Sequence, residues 1–157
     1  MSKKEEKFGL KGTAIIREVD PETGEVVSKE EAENLITDVG AIEIAKYIND
    51  EEPPQFEYMC IGSDGTAAGA GDTALGSQED NEEVGEDSGS ISRSTKTVSW
   101  TDVVFNSGSG KSSIEEMAMC QGSDSTADPI LNRVTFSAKD NANNDLLITY
   151  ELEVLSG

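Results

Sequence analysis

The side chains of this chain best able to do chemistry are carboxylates, and eight of them fall in a Gly- and Ser-rich stretch, residues 62–97. Carboxylate oxygens are the hard ligands that a cation such as calcium prefers. The spacing does not match the calcium loop D-x-[DN]-x-[DN]-G, and acids at this density come close together by chance. We therefore favour a solvated acidic loop with no bound metal or other cofactor. The candidates for a cation site are Asp64, Asp72, Glu79 and Asp80.

Catalytic machinery is hard to assemble from this composition. The chain has no His, which removes the usual proton-transfer group at neutral pH. The adjacent acids Glu115 and Glu116 lie on a predicted strand, where neighbouring side chains point to opposite faces, so they cannot share a glycosidase cleft. The glycine-rich run 61–71 lacks the Lys and the following helix of a phosphate loop. We expect a protein that is not an enzyme.

The two cysteines, Cys60 and Cys120, belong to no CxxC pair, and no His is present to complete a zinc site. The favoured interpretation is a pair of buried small hydrophobic residues. Their sequence contexts are alike, however, because each follows a Met and precedes a Gly-Ser-Asp turn by one residue. Two similar strand ends that lie side by side would permit a disulfide bridge in oxidising surroundings.

The charge of the chain is strongly one-sided, with 32 acids against 12 basic residues and a net charge of −20. Such a field repels phosphate, so we expect no nucleic-acid partner. No apolar stretch approaches the length that spans a bilayer, and a charged start without an apolar segment predicts synthesis in a cytoplasm. The acids are spread between apolar segments, as on a surface adapted to high salt, where screening removes self-repulsion. An ordinary acidic domain from a low-salt organism is the alternative.

Turn and periodicity signals predict a mainly β domain. A hairpin is predicted over residues 12–28, and a helix capped by Thr37 or Asp38 follows, with Ile44, Tyr47 and Ile48 along one face. Gly40 weakens this helix by about 1 kcal/mol, which indicates either close backbone packing or a ragged start.

Later runs of alternating residues predict further strands, among them 131–137 and 146–154. We expect an N-terminal arm (1–11) and one domain (12–157), with 62–97 as a long surface loop. Seven or eight short strands with one helix favour an antiparallel, jelly-roll-like β-sandwich.

Several segments, in order over about residues 34–154, resemble those of small β-sandwich virion proteins of tailed viruses. Such proteins have an N-L-I-T-x-x-G helix start, an I-G-x-G-x-T-x-A loop with D-T-A-L, and an aliphatic final strand. The matching segments here are NLITDVG (34–40), IGSDGTAA (61–68), DTALG (72–76), IEEM (114–117), LNRVTF (131–136) and DLLITYELEV (145–154). The chain departs from the pattern at Met117–Cys120, where an aromatic-ended strand is common, and in its acidic residues 79–87.

The resemblance implies a structural protein of the virion, made in the host cytoplasm, and with the acidic surface it implies a virus of a halophilic archaeon. The expected role is a symmetric homo-oligomer on the capsid surface, as decoration or turret, in contact with neighbouring virion proteins and with neither nucleic acid nor membrane. The alternative is a tail, baseplate or fibre component that binds the host surface. A carbohydrate-binding module is a further alternative, but it predicts exposed aromatic side chains, and residues 62–97 contain none.

The N-terminal arm contains the candidate interface residues, because a basic arm suits an acidic neighbouring subunit. A frayed terminus is the equally good alternative. The candidates are Lys3, Lys4, Lys7, Phe8 and Leu10.

Overall fold

The computed structural model of the chain describes residues 8–49 and 55–156, which form nine strands and one helix. The predicted mainly β architecture is confirmed, with more strands than the seven or eight expected. In chain order the elements are β1 (Phe8–Val19), β2 (Val26–Ile36), α1 (Asp38–Asn49), β3 (Tyr58–Gly62), β4 (Gln78–Glu83), β5 (Ser90–Ser94), β6 (Thr97–Phe105), β7 (Ser113–Cys120), β8 (Asn132–Asp140) and β9 (Asp145–Ser156).

The strands form two antiparallel sheets that meet at a narrow junction. One sheet has the order β2-β1-β9-β6-β5 and the other has the order β4-β3-β7-β8. Between them, β2 pairs with β8 through only two residue pairs, Leu35 with Arg133 and Ile36 with Asn132. The combined order begins at β4 and ends at β5, so these two strands are the free edges of the array.

One hydrophobic core is built from the inward faces of both sheets. The predicted alternation of the last strand is confirmed, since Leu146, Ile148, Tyr150 and Leu152 are all buried. Burial raises the pKa of Tyr150, and its hydroxyl accepts a hydrogen bond from Asn34 Nδ2 at 2.6 Å. The members contributed by the opposite sheet include Met59, Ile61, Met117, Met119, Val134 and Phe136.

The first hairpin is longer than predicted. Its turn is set by Asp20, whose side chain accepts the N–H of Glu22 at 2.8 Å, and by Gly24, whose φ of 73° suits glycine. The boundary of the predicted arm at residue 11 is wrong, because residues 8–11 pair with β9 as part of β1, with Leu10 opposite Val154. The candidate contacts Lys3, Lys4 and Lys7 lie outside the described residues.

The helix begins where the sequence predicts. The Thr37 hydroxyl accepts the N–H of Gly40 at 3.0 Å, which satisfies one of the free donors of the first turn. Close packing at Gly40 is confirmed, since a Cβ atom there would lie 2.0 Å from the carbonyl oxygen of Leu131. The prediction that Ile48 lies on the buried face of the helix is wrong, since Ile48 is 88% exposed. In the parts of the chain described, no helix has the length and apolar character needed to cross a membrane.

The prediction of one surface loop over residues 62–97 is wrong, because β4 and β5 lie inside it. The residues of β4, QEDNEE, show no apolar alternation, and the strand is defined by its pairing with β3 instead. Strand β5 pairs with β6 through a two-residue turn, Thr95–Lys96, in which Thr95 has a φ of 51°. The longest remaining part of this loop is the segment 63–77, and the shorter segments 84–89 and 95–96 connect the strands that follow.

Candidate functional site

A buried charged pair connects β7 and β8. Arg133 is 4% exposed and Glu116 is 0% exposed, and the Nε of the guanidinium donates to Glu116 Oε1 at 3.1 Å. Burial alone lowers the pKa of Arg133, but hydrogen bonds to Glu116 and Asp72 raise it overall, so the guanidinium stays charged. No local sequence signal predicts this pair, because Glu116 and Arg133 are 17 residues apart along the chain.

The Glu116 carboxylate also holds the segment 63–77. It accepts the backbone N–H groups of Asp64 at 2.9 Å, Gly76 at 2.8 Å and Ser77 at 2.9 Å. With the guanidinium this makes four donors on two oxygens, which fills the capacity of a carboxylate. We therefore assign Glu116 the role of ordering the loop.

The guanidinium of Arg133 completes this network from the other side. Its Nη1 donates to Asp72 Oδ2 at 3.1 Å, and its Nη2 donates to the backbone carbonyl of Asp64, also at 3.1 Å. Both ends of the segment 63–77 and its middle are thus tied to one buried ion pair. Breaking a buried pair of this kind is strongly destabilising, because the remaining charge has no partner.

The four cation candidates have separate partners and do not form one site. Asp72 pairs with Arg133, while Asp64 Oδ1 accepts the N–H of Thr66, and hydrogen bonds with Thr66 lower the pKa of Asp64. Glu79 accepts the hydroxyl of Ser63, and Asp80 forms an ion pair with Lys111 at 3.0 Å. Within residues 8–49 and 55–156, no three possible ligand side chains are grouped to hold a metal ion.

The two cysteines occupy diagonal positions on neighbouring strands. Cys60 of β3 is opposite Ala118, and Cys120 of β7 is opposite Tyr58. Both are free, fully buried thiols, and they pack with Leu75 and Ile130 in a small second core. The prediction that the two cysteines are buried small hydrophobic residues is confirmed. The two strand ends lie side by side, as expected, but the cysteines are not bridged. A hydrogen bond with Cys60, together with burial, raises the pKa of Cys120.

Because both thiols are buried, we expect neither to react with a thiol reagent in the folded protein. The thiolate is the reactive form, and its population falls as the pKa rises. Titration with an aromatic disulfide should find no reactive thiol in molar salt and two after denaturation. Rapid modification of the native protein would contradict the burial of the thiols. If the protein denatured without reductant shows no free thiol, the disulfide bridge between Cys60 and Cys120 does form.

Beside the helix, an apolar groove with a volume of about 230 Å³ opens between α1, residues 55–56 and strands β5, β6 and β9. The rings of Tyr47 and Phe56 are stacked at 6.4 Å in its wall. The Phe56 carbonyl accepts the indole N–H of Trp100 at 2.8 Å, which fixes the segment after residue 54 against β6. The apolar side chains that line the groove include Ile44, Tyr47, Phe56, Ile91, Val98 and Trp100.

The outer face of α1 is also apolar and adjoins this groove. Ile48 is 88% exposed and Ile42 is 56% exposed, and the exposed Ala41 and Ala45 lie between them at helical spacing. The inner side of α1 is held by Glu43, which accepts from Lys46 and from Gln121, both at 2.8 Å. The hydrogen bond from Lys46 is the main reason that the pKa of Glu43 is lowered. The sequence contains a signal for this apolar outer face, because apolar residues occur around the whole helix. A helix with this pattern is usually buried on more than one side.

The fold and these surfaces define a mainly β protein with two antiparallel sheets and one helix, whose most distinctive outer feature is an apolar patch in an acidic coat. Comparisons with protein-family models, with curated proteins and with solved structures find no match to the chain.

Proposed function

We propose that this chain is a structural subunit of a tailed virus particle of a halophilic archaeon, and that it is not an enzyme. In this proposal the two sheets pack as a β-sandwich with jelly-roll-like character, and the protein is a symmetric homo-oligomer on the capsid surface. The sandwich is supported by the main core, to which both sheets contribute. The virion role is supported by the ordered set of segments over about residues 34–154 that resembles small virion proteins.

The observation that carries the proposal is the exposed apolar face of α1 beside the groove. On a chain with a net charge of −20, the exposed Ala41, Ile42, Ala45 and Ile48 form a contiguous apolar patch on one helix, and a contiguous patch is typical of an interaction surface. Burying one of the two Ile side chains contributes about 1.5–3 kcal/mol. A subunit that works through its interfaces accounts for this patch, and the acidic remainder keeps the assembly soluble in strong salt.

The chemistry of the buried polar groups supports the same proposal. Glu116, the fully buried carboxylate, accepts four hydrogen bonds and orders the segment 63–77, which is a structural role. The neighbouring virion proteins are the proposed partners of the helix face. Synthesis in the host cytoplasm and residence in the virion complete the proposal.

The test is incorporation into particles. Electron microscopy of intact particles with a label on this chain should show the label on the head surface. Ile48→Asp should reduce co-purification with particles at least about tenfold at equal expression, since a carboxylate would replace a buried apolar contact. The matched control is Val27→Asp, which alters a 58% exposed apolar residue on β2 and should incorporate normally. Particles that lack the chain altogether would overturn the proposal.

The aromatic side chains of the groove favour one alternative, a tail, baseplate or fibre component that binds the host surface. Tyr47 lines the groove with a partly exposed ring of the kind on which sugar rings stack, and the buried Phe56 packs against it. Label at the tail, together with selective binding on a glycan array in molar salt, would support this alternative over the capsid role.

A further inference from the structure

Strand β5 is a free sheet edge that differs from the rest of the surface. It ends the strand order, pairs only with β6, and all five of its residues are exposed. Its sequence, Ser90 to Ser94, contains Arg93 and no acid. An edge of this kind presents unpaired backbone donors and acceptors, on which another strand can add.

The opposite edge of the array is protected by charge. Strand β4 carries Glu79, Asp80, Glu82 and Glu83 within six residues. Two copies that approached through β4 would place these acids against each other, which is destabilising. The charge distribution therefore singles out β5 as the edge where a second copy of this acidic chain can approach.

The turn between β5 and β6 determines which backbone groups of β5 are available. Ser94 and Thr97 flank the two-residue turn, and such flanking residues form a hydrogen-bonded pair. Because hydrogen-bonded pairs alternate along an antiparallel ladder, Ser92 and Ser90 also bond to β6. The N–H and C=O groups of Ile91 and Arg93 consequently point away from β6, towards the free edge.

These outward groups are self-complementary about Ser92. When a second β5 lies antiparallel with its Ser92 opposite Ser92, Ile91 of each copy is opposite Arg93 of the other. Ile91 and Arg93 then exchange both of their outward hydrogen bonds, which gives four across the edge, and no acid opposes another within the strand. The apolar stem of Arg93 lies beside Ile91, which is 44% exposed in one copy alone.

We infer that the chain forms a twofold dimer in which β5 pairs antiparallel with β5 of a second copy, in register at Ser92. This inference rests on the proposed function, since it names the contact that builds the homo-oligomer. Ile91 also lines the groove beside α1, so the twofold axis brings the two grooves together. Each copy has a net charge of −20, so association requires molar salt to screen the repulsion between the bodies.

Light scattering after size exclusion should give twice the 16.7 kDa of the chain in molar KCl and a shift to monomer as the salt is lowered. Arg93→Pro removes an outward N–H while leaving the β5–β6 bonds intact, and Arg93→Glu places a carboxylate beside the edge. Each should weaken the dimer at least about tenfold, since the first removes edge hydrogen bonds and the second adds like charge. The control Lys29→Glu makes the same change of charge, from a cation to a carboxylate, on an exposed residue of β2 and should leave the dimer unchanged.

Cysteine substitution tests the register. Ser92→Cys places two thiols opposite each other at a non-hydrogen-bonded pair, with Cβ atoms about 5 Å apart, within reach of a disulfide after a small adjustment. Oxidised glutathione should convert this variant to a covalent dimer. Ser94→Cys is the control, because the two thiols would be about 14 Å apart along the strands and should not cross-link. The native Cys60 and Cys120 are buried and do not interfere.

The results separate this inference from the proposed function. A monomer in molar salt, a dimer insensitive to both Arg93 variants, or equal cross-linking of the two cysteine variants would overturn the β5 pairing. Particle incorporation with any of these results leaves the virion role standing without this contact. A dimer with the expected cross-link in a chain that never enters particles supports the pairing and overturns the virion role.

Discussion

Arg133→Met should lower the free energy of unfolding by about 3–5 kcal/mol, the usual cost of leaving a buried charge without its partner. The substitution removes all three hydrogen bonds of the guanidinium, including the 3.1 Å contact with Glu116. Glu116 would retain its three backbone donors but lose its charged partner at a site with no exposure to solvent. Urea denaturation in molar KCl, followed by the fluorescence of the single Trp, measures the loss.

A matched surface pair provides the control. Arg17 lies 3.9 Å from Asp102, whose side chain is 59% exposed, so Arg17→Met should cost less than about 1 kcal/mol. The loss in the free energy of unfolding should be larger for Glu116→Leu than for Arg133→Met. The substitution of Glu116 also leaves three backbone N–H groups without their acceptor, those of Asp64, Gly76 and Ser77. Equal losses for Arg133→Met and Arg17→Met would contradict the structural role of the buried pair.

Gly40→Ala should destabilise the protein by about 2 kcal/mol although alanine is the better helix former. The exchange favours the helix by about 1 kcal/mol. The added methyl group, however, would lie 2.0 Å from the carbonyl oxygen of Leu131, and backbone cannot move aside as a side chain can. Overpacking of this kind costs about 3 kcal/mol at the upper end of the usual range. The net sign therefore follows from the tertiary contact, and thermal or urea unfolding measures it.

Gly71→Ala is the appropriate comparison for this effect. No atom lies within 4 Å of a Cβ built at Gly71, so the added methyl group meets open space. We expect a change of less than about 0.5 kcal/mol there, as for most surface substitutions. A stabilised Gly40→Ala protein would mean that α1 does not approach residue 131 as closely as described.

The elements that sequence reasoning predicted well are those with local signals. The turn at Asp20 and Gly24, the Thr37 cap and the alternation of β9 each depend on residues within a few positions of one another. Polar strands lack such signals. Strand β4 has no apolar face and β5 is wholly exposed, so their extended conformation depends on distant partners, β3 and β6. Residues 131–137 show the same limit, because the expected alternation fails where Arg133 is buried beside Glu116.

By itself, the amino-acid sequence determined the acidic surface, the mainly β class, the helix start and the absence of His, since composition and short-range periodicity are sufficient for these. Only the tertiary structure decided that the candidate cation ligands have separate partners, that Ile48 faces outward, and that Glu116 and Arg133 share one buried network. The physical reason is that burial and pairing are properties of the assembled sheets. The residue type determines the charge of a side chain, but its partner depends on the pairing of strands that lie far apart along the chain.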